Sequence, residues 1–210
     1  PQPREEPATE SKKSVAAIVL AAGRSSRMEG PNKLLEEFKG KPLIRSAVEA
    51  ALGSHATPVI VVTGKDDGAI RQALEGLDVR FVHNAEYADG LSSSLKAGIR
   101  SVPEASAGAI ICLGDMPKVS SALIDMLISG FAPEHGAMIV APAKDGQRGN
   151  PVLWARRFFP ELLQLEGDMG ARKLANFYDE GLREIEVGDD SAFADIDTPE
   201  ALAAARKAAE

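Results

Sequence analysis

Five short apolar runs, each of strand length and separated from the next by a stretch that contains a helically spaced segment or a turn, constrain this chain more than any other feature. The first, residues 15–22 (VAAIVLAA), ends in Gly23, and the others are residues 58–63 (PVIVVT), 79–83, 108–114 (GAIICLG) and 136–142. A run that is apolar throughout, rather than at alternate positions, suits a strand buried on both faces, as in a parallel sheet. Between the runs, Leu43, Ala47, Val48 and Ala51 fall at helical spacings in residues 42–52, and Leu91, Leu95 and Val102 do so in residues 91–102. Residues 120–131, 156–165, 170–178 and 198–209 complete the helical set, the last opening on Thr198 as N-cap with Pro199 at the first helical position. The alternation predicts an α/β domain over residues 15–210, with a three-layer, doubly wound, mostly parallel sheet of Rossmann-like type. Ligands of such sheets bind beyond the carboxyl ends of the strands, which says where to look for chemistry.

Composition narrows the partners. The 210 residues are 44% hydrophobic and 26% charged, in the ordinary globular range, and the net charge of −7 excludes a general nucleic-acid binder that works by neutralising phosphates. An acidic protein still binds a single nucleotide when a local pocket and a metal handle the phosphate charge. The lone Cys112 lies inside an apolar run and reads as a small buried hydrophobe. No apolar stretch reaches membrane-spanning length and no signal-peptide pattern opens the chain, so a cytoplasmic location is expected. Residues 1–14 (PQPREEPATESKKS) hold nothing that builds a core and read as a disordered tail or an interdomain linker, with another domain fused N-terminally.

The loop after the first run carries the strongest chemical signal. Small residues at Ala21, Ala22 and Gly23 let a ligand approach the backbone, whose N–H groups can cradle phosphate oxygens. Arg24, Arg27 and Lys33 follow, the last two placed to add charge-assisted contacts. The loop is neither a Walker A sequence nor a Gly-x-Gly-x-x-Gly dinucleotide loop.

Gly114-Asp115-Met116-Pro117 ends the fourth run, so Asp115 stands at the carboxyl end of a central strand. Mg²⁺ is commonly held by one or two carboxylates plus substrate phosphates, so one such Asp suffices, although Asp before x-Pro is also a routine turn opener. A second carboxylate is sought in Asp195-Ile196-Asp197. Alternation puts the two acids on one face with Ile196 turned inward, and Asp197 precedes the capping Thr198. Acids ahead of a helix also simply favour its dipole. Serines in residues 89–98 open a helix, where they either cap it or meet a polar ligand. His55, His83 and His135 show no metal-ligand spacing. Trp154, Phe158 and Phe159 suit helix packing better than ligand stacking.

LAAGRSSRM at residues 20–28, followed by NKLL, resembles the signature of the nucleotidyltransferase superfamily with a GT-A-like fold. The resemblance is greatest to the molybdenum-cofactor branch, the molybdopterin cytidylyltransferases, and it extends from residue 15 to about residue 209. It implies that Leu20, Ala21, Ala22, Gly23, Arg24, Arg27 and Lys33 wrap the nucleotide, with Gly114 beside it and Ser94 at the base. It further implies that Arg27, Lys33 and Asp115 are catalytic and that Asp115 and Asp197 hold Mg²⁺. The Ala-Ala-Gly version of the loop resembles enzymes that use CTP, whereas the guanylyl branch usually has Ala-Gly-Gly. Asn150, Asp168 and Arg172 match positions at the acceptor side, Asn150 standing where the family often has His. The expected reaction is transfer of CMP from CTP, or a related triphosphate, to a phosphorylated small molecule such as molybdopterin. A sugar- or polyol-phosphate acceptor and a non-catalytic nucleotide- or pterin-binding module are the alternatives.

Overall fold

Strand β1 (Val15–Ala21) is buried along its whole length, with Val15, Ala17, Val19 and Ala21 in one apolar layer and Ala16, Ile18 and Leu20 in the other. That two-sided burial is the reason its sequence is continuously apolar. The structure is a computed structural model that describes residues 14–22 and 32–210; the expectations for residues 1–13, Gly23, Arg24 and Arg27, and for the Arg172 side chain, lie outside the described residues.

β1 pairs in parallel with β4 (Val59–Thr63) on one side and β6 (Gly108–Leu113) on the other, and β5 (Arg80–His83) extends the sheet beyond β4. β9 (Val152–Ala155) runs antiparallel to β6 and to β7 (Ile139–Lys144), which in turn pairs with β10 (Leu182–Glu186) and the short β8 (Gln147–Arg148). Among the described residues the sheet order is β10-β7-β9-β6-β1-β4-β5. The sheet is therefore mixed but mostly parallel, as the alternation of runs and helices predicts.

Helices α1 (Leu43–Leu52), α2 (Asp67–Ala73) and α4 (Ser121–Gly130) cover one face through Ile44, Val48, Ile70, Ile124 and Leu127. Helices α3 (Leu91–Arg100), α5 (Phe159–Leu162) and α6 (Ala171–Ala175) cover the other through Leu95, Ile99, Leu162 and Ala175. Each fully buried Ile or Leu in these layers contributes roughly 1.5–3 kcal/mol relative to an exposed one. Gly98 lets α3 approach the sheet at this point, since a Cβ there would stand 2.6 Å from Ile18 Cγ2. No helix among the described residues is long and apolar enough to cross a membrane.

A third, smaller cluster positions the site. α7 (Pro199–Lys207) begins as its sequence implies, with Thr198 Oγ1 accepting from Ala201 N–H at 3.1 Å and Pro199 at the first position. Its Leu202 packs with Ile196, Leu43 and Phe38, the last on the hairpin β2 (Glu37–Phe38)–β3 (Lys41–Pro42). Arg206 Nε donates to the Glu37 carbonyl at 2.9 Å and fastens the helix to that hairpin. The residues leading into α7 are thereby laid across the carboxyl end of β6.

Several boundaries differ from expectation. β7 starts three residues after Gly136, because Gly136 takes a left-handed turn. The helix expected over residues 156–165 is a 3₁₀ turn (Arg156–Phe158) and the brief α5. Trp154 belongs to strand β9, not a helix, and packs edge-on to Phe158 with ring centres 5.6 Å apart. α2 and β10 have no counterpart in the sequence prediction.

Candidate active site

The Asn32 side chain caps a 3₁₀ turn (Lys33–Leu35) by accepting from Leu34 N–H at 3.0 Å. The same amide donates to Asp66 Oδ2 at 3.0 Å, beyond β4. Leu34 is buried beneath the turn. These contacts hold the backbone of Lys33 in one place, so that its side chain reaches across the sheet edge.

Its Nζ lies 2.9 Å from Asp115 Oδ2 and 2.5 Å from Asp197 Oδ1. Three residues spread over the chain thus meet at the carboxyl end of β6, where ligands of such sheets bind. Asp115 follows Gly114, whose N–H donates to the Leu20 carbonyl at 3.1 Å and ties the ends of β6 and β1 together. Asp197 arrives because Ile196 is buried and its N–H donates to the Asp115 carbonyl at 3.0 Å. The predicted alternation, with Ile196 inward and its acidic neighbours outward, accounts for that geometry.

The electrostatics follow from burial and pairing. Burial pushes the Asp115 carboxyl above its ordinary value; the Lys33 charge opposes this without cancelling it. Asp197, more exposed, is held below its ordinary value by its hydrogen bond to Lys33. Burial pulls the Lys33 ammonium down, and the two carboxylates more than reverse that, leaving it raised. Asp195 is raised by burial and by a hydrogen bond shared with Asp197. Two carboxylates converging on one cationic atom offer hard oxygen ligands at one point, which suits Mg²⁺ completed by phosphate and water oxygens. Among the described residues there is no larger His, Cys, Asp or Glu group able to hold a metal by itself.

Beside this centre opens a cleft of about 700 Å³. Asn150, Gln147, Asn176, Glu184 and Asp195 supply polar walls, and Met116 and Phe193 apolar ones. Arg148 fastens one wall: its Nε donates to Glu184 Oε1 at 2.7 Å, and its terminal nitrogens donate to Asn176 Oδ1 at 3.2 Å and Asp179 Oδ1 at 3.3 Å. Asn150 and Asp168, both expected at the acceptor side, stand in different places. Asp168 Oδ1 accepts from Leu91 N–H at 3.4 Å at the start of α3, and only Asn150 lines the cleft.

Ser94 sits in the first turns of α3, on the helix face that meets the sheet, and is buried. Leu20, Ala21 and Ala22 are buried at the end of β1. Sequence reasoning missed Asn176, Glu184 and Phe193. No spacing marks them; only the folded chain brings them to the site.

Residues 17–182 match the MobA-like NTP transferase domain. The chain is 30% identical to purine catabolism protein PucB of Bacillus subtilis over 204 residues, covering 91% of this chain and 95% of that protein. It is 26% identical to molybdenum cofactor cytidylyltransferase of Escherichia coli, covering 92% of this chain and 96% of the relative. Against bifunctional protein GlmU of Pelobacter propionicus it is 31% identical, but it spans only 29% of that protein. Among solved structures, a nucleotidyl transferase of Methanothermobacter thermautotroptrophicus superposes with a TM-score of 0.81 at 26% identity, covering 93% of this chain and 97% of that one. Rv0371C of Mycobacterium tuberculosis, solved in complex with manganese, gives 0.76 at 26% identity, covering 93% and 99%. The fold, the acidic centre and these likenesses agree, and the chain belongs to the MobA-like NTP transferase family as a nucleotidyltransferase.

Proposed function

We propose that this enzyme transfers CMP from CTP to a phosphorylated acceptor, molybdopterin, releasing pyrophosphate, with Mg²⁺ held by Asp115 and Asp197. One observation carries the reading: the convergence of both carboxylates on Lys33 Nζ, at 2.9 and 2.5 Å, at the carboxyl end of β6. The name of the E. coli relative supports the acceptor and the base, and Ala22 in the first loop supports the base.

Mg²⁺ at the two carboxylates would polarise the α-phosphate and neutralise charge developing on it. The remaining work falls to the chain's own residues. The small side chains of Ala21 and Ala22 leave room for the nucleotide beyond the end of β1, and Ser94 contacts the base. Lys33, a point charge on a flexible stem, stabilises the departing pyrophosphate together with Arg27. The cleft holding Asn150 seats the acceptor so that its phosphate oxygen lies in line with the bond to be broken. That oxygen attacks the α-phosphorus, the bond to the bridging β-phosphate oxygen breaks, and pyrophosphate leaves. The attacking oxygen is already ionised, so no general base is required. Such transfers depend on positioning and electrostatics more than on covalent chemistry.

The test is pyrophosphate release with Mg²⁺ and molybdopterin, comparing CTP, GTP, UTP and ATP in parallel. Release with CTP alone supports the reading. Preference for another nucleotide sinks the base assignment, and release only with a sugar- or polyol-phosphate sinks the acceptor.

A further inference from the structure

Asn84 is buried just beyond the end of β5, and its N–H donates to the Thr63 carbonyl at 2.8 Å, extending the β4–β5 ladder by one bond. Its backbone is therefore fixed. The side chain meets three groups: Oδ1 accepts from Glu86 N–H at 3.0 Å, and Nδ2 lies 2.9 Å from Ser93 Oγ and 3.0 Å from Ser94 Oγ. Glu86 N–H is a backbone donor and can only donate, so the oxygen must be on that side of the amide. The NH₂ group must then face the two serines, giving one hydrogen to each.

This polarity has a consequence for each hydroxyl. A hydroxyl that accepts from an amide keeps its own hydrogen for another acceptor. Ser93 gives its hydrogen to the Gly90 carbonyl at 2.8 Å or the Glu86 carbonyl at 2.9 Å, so it is satisfied within the protein. Ser94 Oγ has Asn84 as its one partner among the described residues. Its hydrogen has no acceptor among the described residues. Ser94 is one turn before Gly98 on the same helix face, and Gly98 packs over Ile18 of β1. Because α3 follows β5 and starts at the carboxyl edge of the sheet, Ser94 stands nearer that edge than Gly98 does, on the side where ligands of such sheets bind.

We infer that Asn84 is a positioning residue that fixes the Ser94 hydroxyl as a hydrogen-bond donor, so that the nucleotide atom met there is an acceptor, a base carbonyl or ring nitrogen. This rests on the proposed nucleotide site. Replacing Asn84 by Asp keeps the shape but replaces the NH₂ donor with a carboxylate oxygen, which draws the Ser94 hydrogen inward and turns a lone pair toward the nucleotide.

The experiment measures the dissociation constant of CTP with Mg²⁺ by calorimetry, and KM and kcat for pyrophosphate release, in wild type, Asn84→Asp, Ser94→Ala and the double variant, with thermal unfolding as a folding control. Losing one buried hydrogen bond weakens CTP binding about tenfold in each single variant. The double variant then binds no worse than Ser94→Ala alone, because both changes remove one contact. The loss is expected in the dissociation constant and in KM for CTP together, since the contact is made to the base rather than at the reacting phosphorus. Additive losses, about a hundredfold in the double variant, would show that Asn84 acts only through general packing and overturn the inference. Unchanged CTP affinity in Ser94→Ala overturns it as well. If Asn84→Asp fails to fold, Ser94→Ala and Asn84→Ser decide: Asn84→Ser must weaken CTP binding and leave Ser94→Ala no further effect. A wild type that binds CTP but releases no pyrophosphate defeats the proposed reaction and leaves this assignment standing.

Discussion

The backbone N–H of Ile196 donates to the carbonyl of Asp115 at 3.0 Å. This single bond joins the segment before α7 to the end of β6, and it brings Asp197 to the carboxylate that starts the Gly-Asp-Met-Pro turn. The buried Ile196 side chain holds the segment from the other side, against Leu43 and Leu202. The second carboxylate is thus placed by core packing as much as by polar contacts.

Gly90 has φ +106°, and a Cβ there would stand 2.6 Å from the Gly167 carbonyl oxygen and 2.7 Å from Asp168 Oδ1. Gly90→Ala is expected to lower unfolding stability by ~1–3 kcal/mol, because it adds backbone strain and pushes Asp168 from the start of α3. Urea unfolding measures the loss; an unchanged midpoint contradicts the packing described.

Asp67 is held below its ordinary value by hydrogen bonds from Thr63 and Arg71. A carboxyl lowered in the folded state contributes stability that is complete above its unfolded value and disappears as pH falls through the folded value. Asp67→Asn should therefore be less stable than wild type at neutral pH, with the gap closing as pH falls below the ordinary carboxylate range and through the lowered folded value. A gap that persists or widens in acid would refute this.

Arg148 touches no part of the acidic centre but ties Glu184, Asn176 and Asp179 together along the cleft wall. Arg148→Met should raise KM for the acceptor several-fold, on the order of 1 kcal/mol, and leave KM for CTP unchanged. Equal effects on both substrates would place Arg148 elsewhere in the mechanism.

Much of the fold is legible in the sequence because buried parallel strands leave a continuous apolar record: the runs containing Ile18, Ile60 and Ile110 became β1, β4 and β6. β10 left none, since Arg183, Glu184 and Glu186 are exposed on an edge strand. Likewise α2 presents only Ile70 to the core, too little for a helical period. Asp115 and Asp197 are legible as acids at a strand end and before a helix. Their meeting at Lys33 is not, because 82 and 164 residues separate each from it along the chain. Asn84 was invisible for another reason: its role depends on which way a buried amide faces, and only the Glu86 N–H decides that.

Asp115 and Asp197 are proposed to hold the divalent cation together. Electron paramagnetic resonance of Mn²⁺ titrated into the enzyme with CTP tests it most directly, in wild type, Asp115→Asn and Asp197→Asn. Each substitution is expected to weaken Mn²⁺ binding at least about tenfold and to cut pyrophosphate release on the order of a hundredfold or more, while thermal stability changes little. Wild-type Mn²⁺ affinity in both variants would contradict it.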